Sequence, residues 1–194
     1  EFTLLEWYRL HAGYRELMPD TQALIRRVVQ DACGSTRFAA GGQTIEVGGD
    51  WETVTVADAF RRHAGSDVDA AVATGQFEEI LVTRVEPRLG QGRPTFLVDY
   101  PAACGGLAAC APGLPPRLER WELYIAGLEL ANACSELTDA DEQRRRFAEC
   151  AQHRAAEGRP VYPVDDAFLA ALASGLPRAA GIALGLDRLV MLLA

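Results

Sequence analysis

The C-terminal run at 181–194, G-I-A-L-G-L-D-R-L-V-M-L-L-A, narrows the possible folds more than any other part of the chain. Its apolar first half is spaced by glycine and alanine, and it predicts a strand that passes into a helix at Asp187 and Arg188. Small residues on a strand let a flat ligand lie against the backbone. An arginine at the start of a helix can hold phosphate in a bidentate fork. The run is a candidate nucleotide-contacting element, and an ordinary buried strand followed by a core helix is the alternative.

Composition and charge exclude several classes of protein. The 194 residues fit one domain with a substantial core. No apolar run could span a bilayer and no signal-peptide pattern is present, so we expect a cytoplasmic protein with no membrane partner. The net charge of −8 argues against broad nucleic-acid binding. Arginines 144–146 lie among acids at helical spacing, which is typical of a solvated, self-compensated face.

The cysteines and histidines indicate no metal or disulfide framework. The five cysteines are odd in number and form no C-x-x-C pair. His11, His63 and His153 are far apart and form no ligand-spaced pair. We therefore expect reduced, structural thiols and assign no catalytic role to a histidine.

The order of the predicted elements favours an α+β domain. Strands are expected at 2–9, 44–47, 94–100, 119–125 and 128–135, and helices at 19–33, 57–63, 77–88, 139–157 and 165–173. Thr21 and Thr138 are expected as N-caps, and Gly127 as the tight connection between two strands. Strands that are mostly contiguous, joined by hairpins and flanked by helices predict an antiparallel sheet rather than alternating βαβ units.

The chain is expected to form a single domain over 1–194, with 34–92 as a peripheral, mainly helical insertion. Residue 1 opens directly into a strand pattern, and residue 194 lies inside a helical pattern with no capping signal. We therefore expect both ends to be truncated.

A cluster of acids within 119–139 needs an explanation, because it lies on strands that otherwise look like core. Buried carboxylates are unfavourable unless they are paired or bound to a metal, and carboxylate oxygens suit Mg²⁺ bound to substrate phosphates. A hairpin that turns at Gly127 would bring Glu122 and Glu129 across from one another. The alternative is that these acids form the solvent face of an amphipathic hairpin.

Strand parity makes a specific prediction about this cluster. On a regular strand, Glu129 would face away from Asn132 and Glu136. A bulge near Ala131 is needed for all three to meet one ligand.

A third cluster, Glu6 to Tyr8, places an acid and a phenol on an aromatic strand. Together they could receive a cationic amine by charge and hydrogen bond. A core strand with an exposed glutamate is the alternative.

Three segments together resemble the catalytic core of the class II aminoacyl-tRNA synthetases. They are E-F-T-L-L-E-W-Y-R, E-R-W-E-L-Y-I-A-G-L-E-L-A-N-A-C-S-E-L-T-D and G-I-A-L-G-L-D-R-L-V-M-L-L. The match in order and spacing is to lysyl-tRNA synthetase, and it is stronger to that enzyme's short paralogue family, the elongation factor P–lysine ligases. L-E-W-Y-R, the loop D-Y-P-A-A-C-G-G-L-A and Ala183 favour the paralogue.

The resemblance implies a catalytic core that uses ATP and Mg²⁺. The nucleotide site would comprise Phe2, Glu122, Glu129, Leu130, Gly185 and Arg188. The two glutamates would hold Mg²⁺–ATP, the phenylalanine and glycine would contact adenine, and the arginine would reach the terminal phosphate. Glu129 and Arg188 are the residues expected to act in catalysis.

The amino-acid site implied by the resemblance binds a lysine-like substrate. Tyr8 and Glu136 would bind its side-chain amine with Glu6 close by, and Asn132 would touch the substrate. Ala183 stands where the synthetase has glycine, and an added methyl group can alter which amino acid fits.

The implied acceptor is a lysine of elongation factor P, the alternative is tRNA, and the family implies a homodimer. A non-catalytic paralogue that senses an amino acid or adenylate is a third hypothesis. It rests on departures from the family pattern at Cys134 and Ala133 and in the proline loop at Ala103 and Cys104. The motif 2 arginine and motif 1 of the family have no counterpart within 1–194.

Overall fold

The structure, a computed structural model, describes all residues from 1 to 194 and contains ten strands and seven α-helices. The strands are β1 (Leu4–Leu10), β2 (Arg37–Ala40), β3 (Gln43–Glu46), β4 (Glu52–Thr55), β5 (Thr95–Val98), β6 (Cys110–Ala111), β7 (Arg117–Leu118), β8 (Arg120–Ile125), β9 (Leu128–Ser135) and β10 (Ala179–Gly185). The helices are α1 (Leu17–Cys33), α2 (Val56–Ala64), α3 (Val68–Ala73), α4 (Phe77–Ile80), α5 (Ala140–Ala156), α6 (Asp166–Ala173) and α7 (Leu186–Leu193). A π-helical turn at Leu81–Val85 and a 3-10 turn at Glu86–Arg88 continue α4.

Six strands form the main sheet in the order β1-β10-β9-β8-β5-β4. All neighbours in it are antiparallel except β4 and β5, which are parallel. Two small two-stranded sheets, β2–β3 and β6–β7, complete the strand inventory. The predicted α+β class with a largely antiparallel sheet is confirmed.

One face of the sheet is apolar and builds the larger core. Trp7, Ile182, Ala133 and Trp121 lie side by side across β1, β10, β9 and β8 on this face. Helices α1 and α7 and the β2–β3 hairpin contribute side chains to the same core. Burial of this face therefore fixes the register of the four strands and leaves alternate residues for the opposite face.

The opposite face is covered only in part. Helices α2 to α4 pack over its β4, β5 and β8 end, where Phe60 and Phe77 stack at 5.2 Å and enclose Leu97 and Tyr124. On the face presented by β1, β10 and β9, only Cys134 packs against this second core. The rest of this face is available for a binding site.

The β8–β9 hairpin carries the predicted irregularity. Its turn uses Ala126 and Gly127, whose φ angles of 52° and 78° suit a tight two-residue connection. Leu123 pairs with Ala131 but Tyr124 pairs with Glu129, so Leu130 is an extra residue without a partner. The predicted bulge near Ala131 is confirmed, and it places Glu129 on the same face as Asn132.

Both predicted helix caps are wrong. Helix α1 begins before Pro19, and Thr21 is buried inside it, where its hydroxyl donates to the Leu17 carbonyl at 2.8 Å. Proline is tolerated there because amides in the first turn have no intrahelical acceptor. Helix α5 is capped by Asp139 rather than Thr138, with Asp141 N donating to its carboxylate at 2.9 Å.

The segment 34–92 differs from a purely peripheral insertion. Its strand β4 forms one edge of the main sheet, and α2 to α4 supply most of the second core. All five cysteines are free thiols, and Cys33, Cys110 and Cys150 are exposed, so the expected structural role does not fit these three. No helix has both the length and the apolar character needed to cross a membrane.

Candidate active site

The polar face of the sheet gathers five of the eleven predicted site residues in two adjacent rows. The first row runs Tyr8, Gly181, Cys134, Arg120 across β1, β10, β9 and β8. The second row runs Glu6, Ala183, Asn132, Glu122 across the same strands. Strand pairing therefore brings residues more than a hundred positions apart onto one surface.

The first row forms a pocket floor at Gly181. A Cβ atom added at Gly181 would lie 2.5 Å from Glu136 Oε1 and 2.7 Å from Tyr8 Cε1, so both side chains close directly over the glycine. The charge of Glu136, then burial and the charge of Glu6, raise the pKa of Tyr8. Burial raises the pKa of Glu136 itself. The predicted pair of phenol and carboxylate is thus assembled at one point.

Glu136 is half-buried, and its carboxylate forms no hydrogen bond or ion pair within the chain. A partly desolvated anion without a partner is unfavourable and becomes favourable when a cation supplies charge and hydrogen bonds. Tyr8 offers a hydroxyl beside it. This end of the face is therefore suited to an ammonium group.

A cavity of about 290 Å³ lies at the other end of the face, around the junction of β10 and α7. Phe2, Leu130, Gly185 and Arg188 line it together with Glu129. Phe2 contributes a ring that is 79% exposed, whereas Leu130, the bulge residue, contributes a buried wall. All residues predicted for the nucleotide site except Glu122 border this cavity.

Arg188 and Glu129 face each other inside the cavity. Arg188 Nη1 donates to the Glu129 carbonyl at 2.6 Å and to its carboxylate at 3.0 Å. Both side chains remain substantially exposed, so solvent weakens their attraction and an incoming anion can compete for the guanidinium. The Arg188 side chain lies against Gly185, where an added Cβ would stand at an ordinary contact distance of 3.5 Å from Arg188 Cβ and Cδ.

Glu122 lies beneath the surface, and both of its carboxylate oxygens accept hydrogen bonds. It therefore does not belong to a solvent-exposed face of the hairpin, which was the alternative for this cluster of acids. It is 6% exposed. Arg120 and Asn132 donate to Oε1, the latter at 3.2 Å, and Tyr100 and Tyr124 donate to Oε2, the latter at 2.7 Å.

Burial raises the pKa of Glu122, while the charge of Arg120 and the tyrosine hydrogen bonds act in the opposite direction. The nearby charge of Glu129 adds to the upward shift, so the two carboxylates belong to one electrostatic cluster. The Tyr124 hydroxyl, whose single hydrogen points to the nearer Glu122, also lies 3.1 Å from Glu86 Oε1, and burial raises the pKa of Glu86 as well.

The donor set fits Mg²⁺ carried by a triphosphate. Magnesium uses one or two protein carboxylates and takes its remaining ligands from phosphate and water, so no cluster of three acidic ligands is required. Glu129 offers oxygen atoms in the cavity. Glu122 has both oxygens engaged by four donors, and it would have to release one of them to bind the metal directly.

Four residues that complete the site were not identified from the sequence as site residues: Tyr100, Arg120, Tyr124 and Gly181. Parity offered a signal for Arg120 and Tyr124, which alternate with Glu122 on β8. Gly181 had a signal in the glycine spacing of β10. Tyr100 carried none, because its contact depends on how the loop after β5 packs.

Comparison with known proteins matches all of residues 1–194 to the tRNA synthetases of class II (D, K and N). Lysine–tRNA ligase of Moorella thermoacetica is 36% identical over 100% of this chain and 43% of its own length. Elongation factor P–(R)-β-lysine ligase of Pectobacterium carotovorum is 38% identical over 99% of this chain and 61% of its own length. The chain thus spans about half the length of the curated relatives it matches. The sheet, its polar face and the match over all of residues 1–194 agree. The chain belongs to the class II tRNA synthetase family.

Proposed function

We propose that this protein is an ATP-dependent ligase that activates lysine, or an analogue such as β-lysine, as an aminoacyl-adenylate. The observation that carries the proposal is the unpaired, half-buried carboxylate of Glu136 against Gly181 and Tyr8. Relatives from both subgroups are named as ligases of lysine or β-lysine, which supports the same substrate class.

The geometry supports a substrate that lies along β10. Gly181 and Gly185 are separated by roughly 13 Å at the usual rise of a strand. A lysine whose ammonium group contacts Glu136 can extend its four-carbon stem past Ala183 toward the nucleotide cavity. Asn132 lies in register with Ala183 between the two ends, in position to contact the substrate.

In the proposed reaction, a carboxylate oxygen of the amino acid forms a bond to the α-phosphorus of ATP. The bond from that phosphorus to the bridging oxygen breaks, and the electron pair leaves with pyrophosphate. The carboxylate is already ionised at neutral pH, so no general base is needed and the protein contributes alignment and charge neutralisation.

Each polar residue has a defined part in that alignment. Arg188 releases Glu129 and binds the terminal phosphate, and Glu129 becomes available to Mg²⁺. The bound metal ion would neutralise phosphate charge. Glu136 and Tyr8 hold the amine, which fixes the distance between the carboxylate and the α-phosphate.

We further propose a lysine side chain of elongation factor P as acceptor, with tRNA as the alternative, and a homodimer as the working assembly. Ala183 stands where the synthetase has glycine and favours the protein ligase by that resemblance, and its methyl group beside Asn132 can alter which amino acid fits. Identities of 38% and 36% to the two kinds of relative leave this choice to experiment.

The test is ATP–pyrophosphate exchange by the full-length protein with lysine, β-lysine and norleucine. Norleucine lacks the side-chain amine of lysine. We expect exchange with lysine or β-lysine and none with norleucine. Exchange with no amino acid would contradict the proposal and favour a non-catalytic amino-acid sensor. Transfer of the labelled amino acid to elongation factor P or to tRNA, measured in parallel, identifies the acceptor.

A further inference from the structure

A closed triangle of hydrogen bonds lies between the amine pocket and the nucleotide cavity. Arg120 Nε donates to Asn132 Oδ1 at 3.2 Å, and Asn132 Nδ2 donates to Glu122 Oε1 at 3.2 Å. Arg120 Nη2 closes the triangle on the same Glu122 oxygen. The Nε–Nη2 edge of one guanidinium therefore engages two different side chains.

We propose that Arg120 is a positioning residue that sets the orientation of the Asn132 amide toward the substrate. The proposal rests on the proposed function, because Asn132 is the residue expected to touch the amino acid. Arg120 itself contacts neither substrate end in this arrangement and acts through its neighbour.

The amide of an asparagine has two orientations that differ by exchange of its oxygen and nitrogen. Arg120 can only donate and the ionised Glu122 can only accept, so this pair permits one orientation. Asn132 keeps one amide hydrogen and one oxygen lone pair for a ligand. A free rotor would present the wrong atom in part of its population and would bind the substrate more weakly.

The guanidinium is itself held in place. Its central carbon lies 4.5 Å from the centre of the Tyr100 ring, and its side chain is 21% exposed. Tyr100 also donates to Glu122, so the ring supports both members of the ion pair. Cys134 pairs with Arg120 in the first row of the polar face.

Arginine is required by this arrangement, and lysine is not an equivalent. The planar fork places donors at fixed angles, whereas the lysine ammonium is a single point at the end of a flexible stem. Arg120→Lys therefore keeps the charge next to buried Glu122 but loses the simultaneous contact with Asn132. This difference separates positioning from simple charge compensation.

The experiment measures lysine and β-lysine affinity by calorimetry on the full-length protein, for Arg120→Lys, Asn132→Ala and the double variant. We expect Arg120→Lys to keep a thermal midpoint near that of the wild type and to weaken amino-acid binding about three- to tenfold, the equivalent of one hydrogen bond. In the Asn132→Ala background the same change should alter the affinity less than twofold, because the residue it orients is gone.

Arg117→Lys is the matched control. Arg117 is also 21% exposed and forms a two-pronged ion pair, but its partner is Asp69, which lies outside the polar face. It should leave amino-acid affinity unchanged. An Arg120→Lys affinity within twofold of the wild type, or an equal loss in both backgrounds, would overturn the positioning role.

The outcomes also separate this proposal from the proposed activity. Binding of lysine without pyrophosphate exchange by the wild type would refute only the ligase activity and leave the Arg120 measurement valid. A wild type that binds neither lysine nor β-lysine would overturn the amine site and the positioning role together.

Discussion

Substitution of Gly181 by alanine is expected to damage amino-acid binding specifically. The new methyl group would lie 2.5 Å from Glu136 Oε1 and 2.7 Å from Tyr8 Cε1, and both separations are shorter than any tolerated contact. Neither neighbour is backbone: one is the end of a half-buried side chain and the other belongs to a largely exposed ring. Both can rotate away, so β10 keeps its place while the amine contacts are lost.

The magnitude follows from the crowding. Extra methyl groups in packed sites are unfavourable by about 1–3 kcal/mol, which corresponds to a roughly 5- to 150-fold increase in KM for lysine. The assay is pyrophosphate exchange with lysine and ATP varied in turn, together with a thermal midpoint to verify folding. KM for ATP should change by less than twofold.

Two other glycines provide contrasts. Gly49→Ala is the neutral control, because its nearest neighbour would be Glu46 Cγ at 4.0 Å. Gly185→Ala adds a methyl group at ordinary contact distance, 3.5 Å from Arg188, and should act on ATP rather than on lysine. An unchanged lysine KM in Gly181→Ala, or equal increases for lysine and ATP, would refute the assignment of Gly181 to the amine pocket.

Three further changes probe the amine, the phosphate and a helix cap. Burial raises the pKa of Glu136, so between the unfolded and folded pKa values the native state holds more protons, and stability falls as pH rises through that window. Glu136→Gln should therefore raise the thermal midpoint above that of the wild type at pH 7, and by a much smaller amount at pH 4. The same change should weaken lysine binding about tenfold or more. A midpoint difference that is identical at both pH values would contradict the assignment. Arg188→Ala should lower the exchange rate by about 10²- to 10³-fold and raise KM for ATP more than KM for lysine, and a preferential effect on lysine would argue against a phosphate contact. Asp139→Ala should destabilise the protein by about 0.5–2 kcal/mol in urea unfolding, whereas Thr138→Val should stay within about 0.5 kcal/mol; the reverse order would restore the threonine as the cap.

Local pattern predicted the longer strands and helices of this fold because each carries its own periodicity, whereas the short elements β2, β4, β6, β7 and α3 were not predicted. The strand at Leu128–Ser135 was predicted with its observed bounds, and α5 and α6 to within a residue at each end. The bulge at Leu130 was predictable, because on a regular strand Glu129 would face away from Asn132 and Glu136 and could not share a ligand with them. These features depend only on residues close in the chain.

Features that depend on packing between distant segments were not predictable from one sequence. The four donors to Glu122 come from β8, β9 and the loop after β5. The complete hydrogen bonding of its carboxylate therefore follows from strand pairing and cannot be deduced from the spacing of residues along the chain. The place of β4 at the sheet edge depends on a parallel pairing with β5 across more than forty residues. The N-cap prediction at Thr21 was wrong for a related reason. Thr21 was assigned by its residue type, and the burial of its hydroxyl inside α1 has no local signal in the sequence.

The position of the bound substrate amine tests the assignment of the amine pocket most directly. A crystal structure of the full-length protein with lysine and a non-hydrolysable Mg²⁺–ATP analogue gives it in one measurement. We expect the side-chain nitrogen within hydrogen-bond distance of Glu136 and Tyr8 above Gly181, with the terminal phosphate on Arg188. A lysine whose amine lies away from Glu136, or a triphosphate outside the cavity of Glu129 and Arg188, would contradict this expectation.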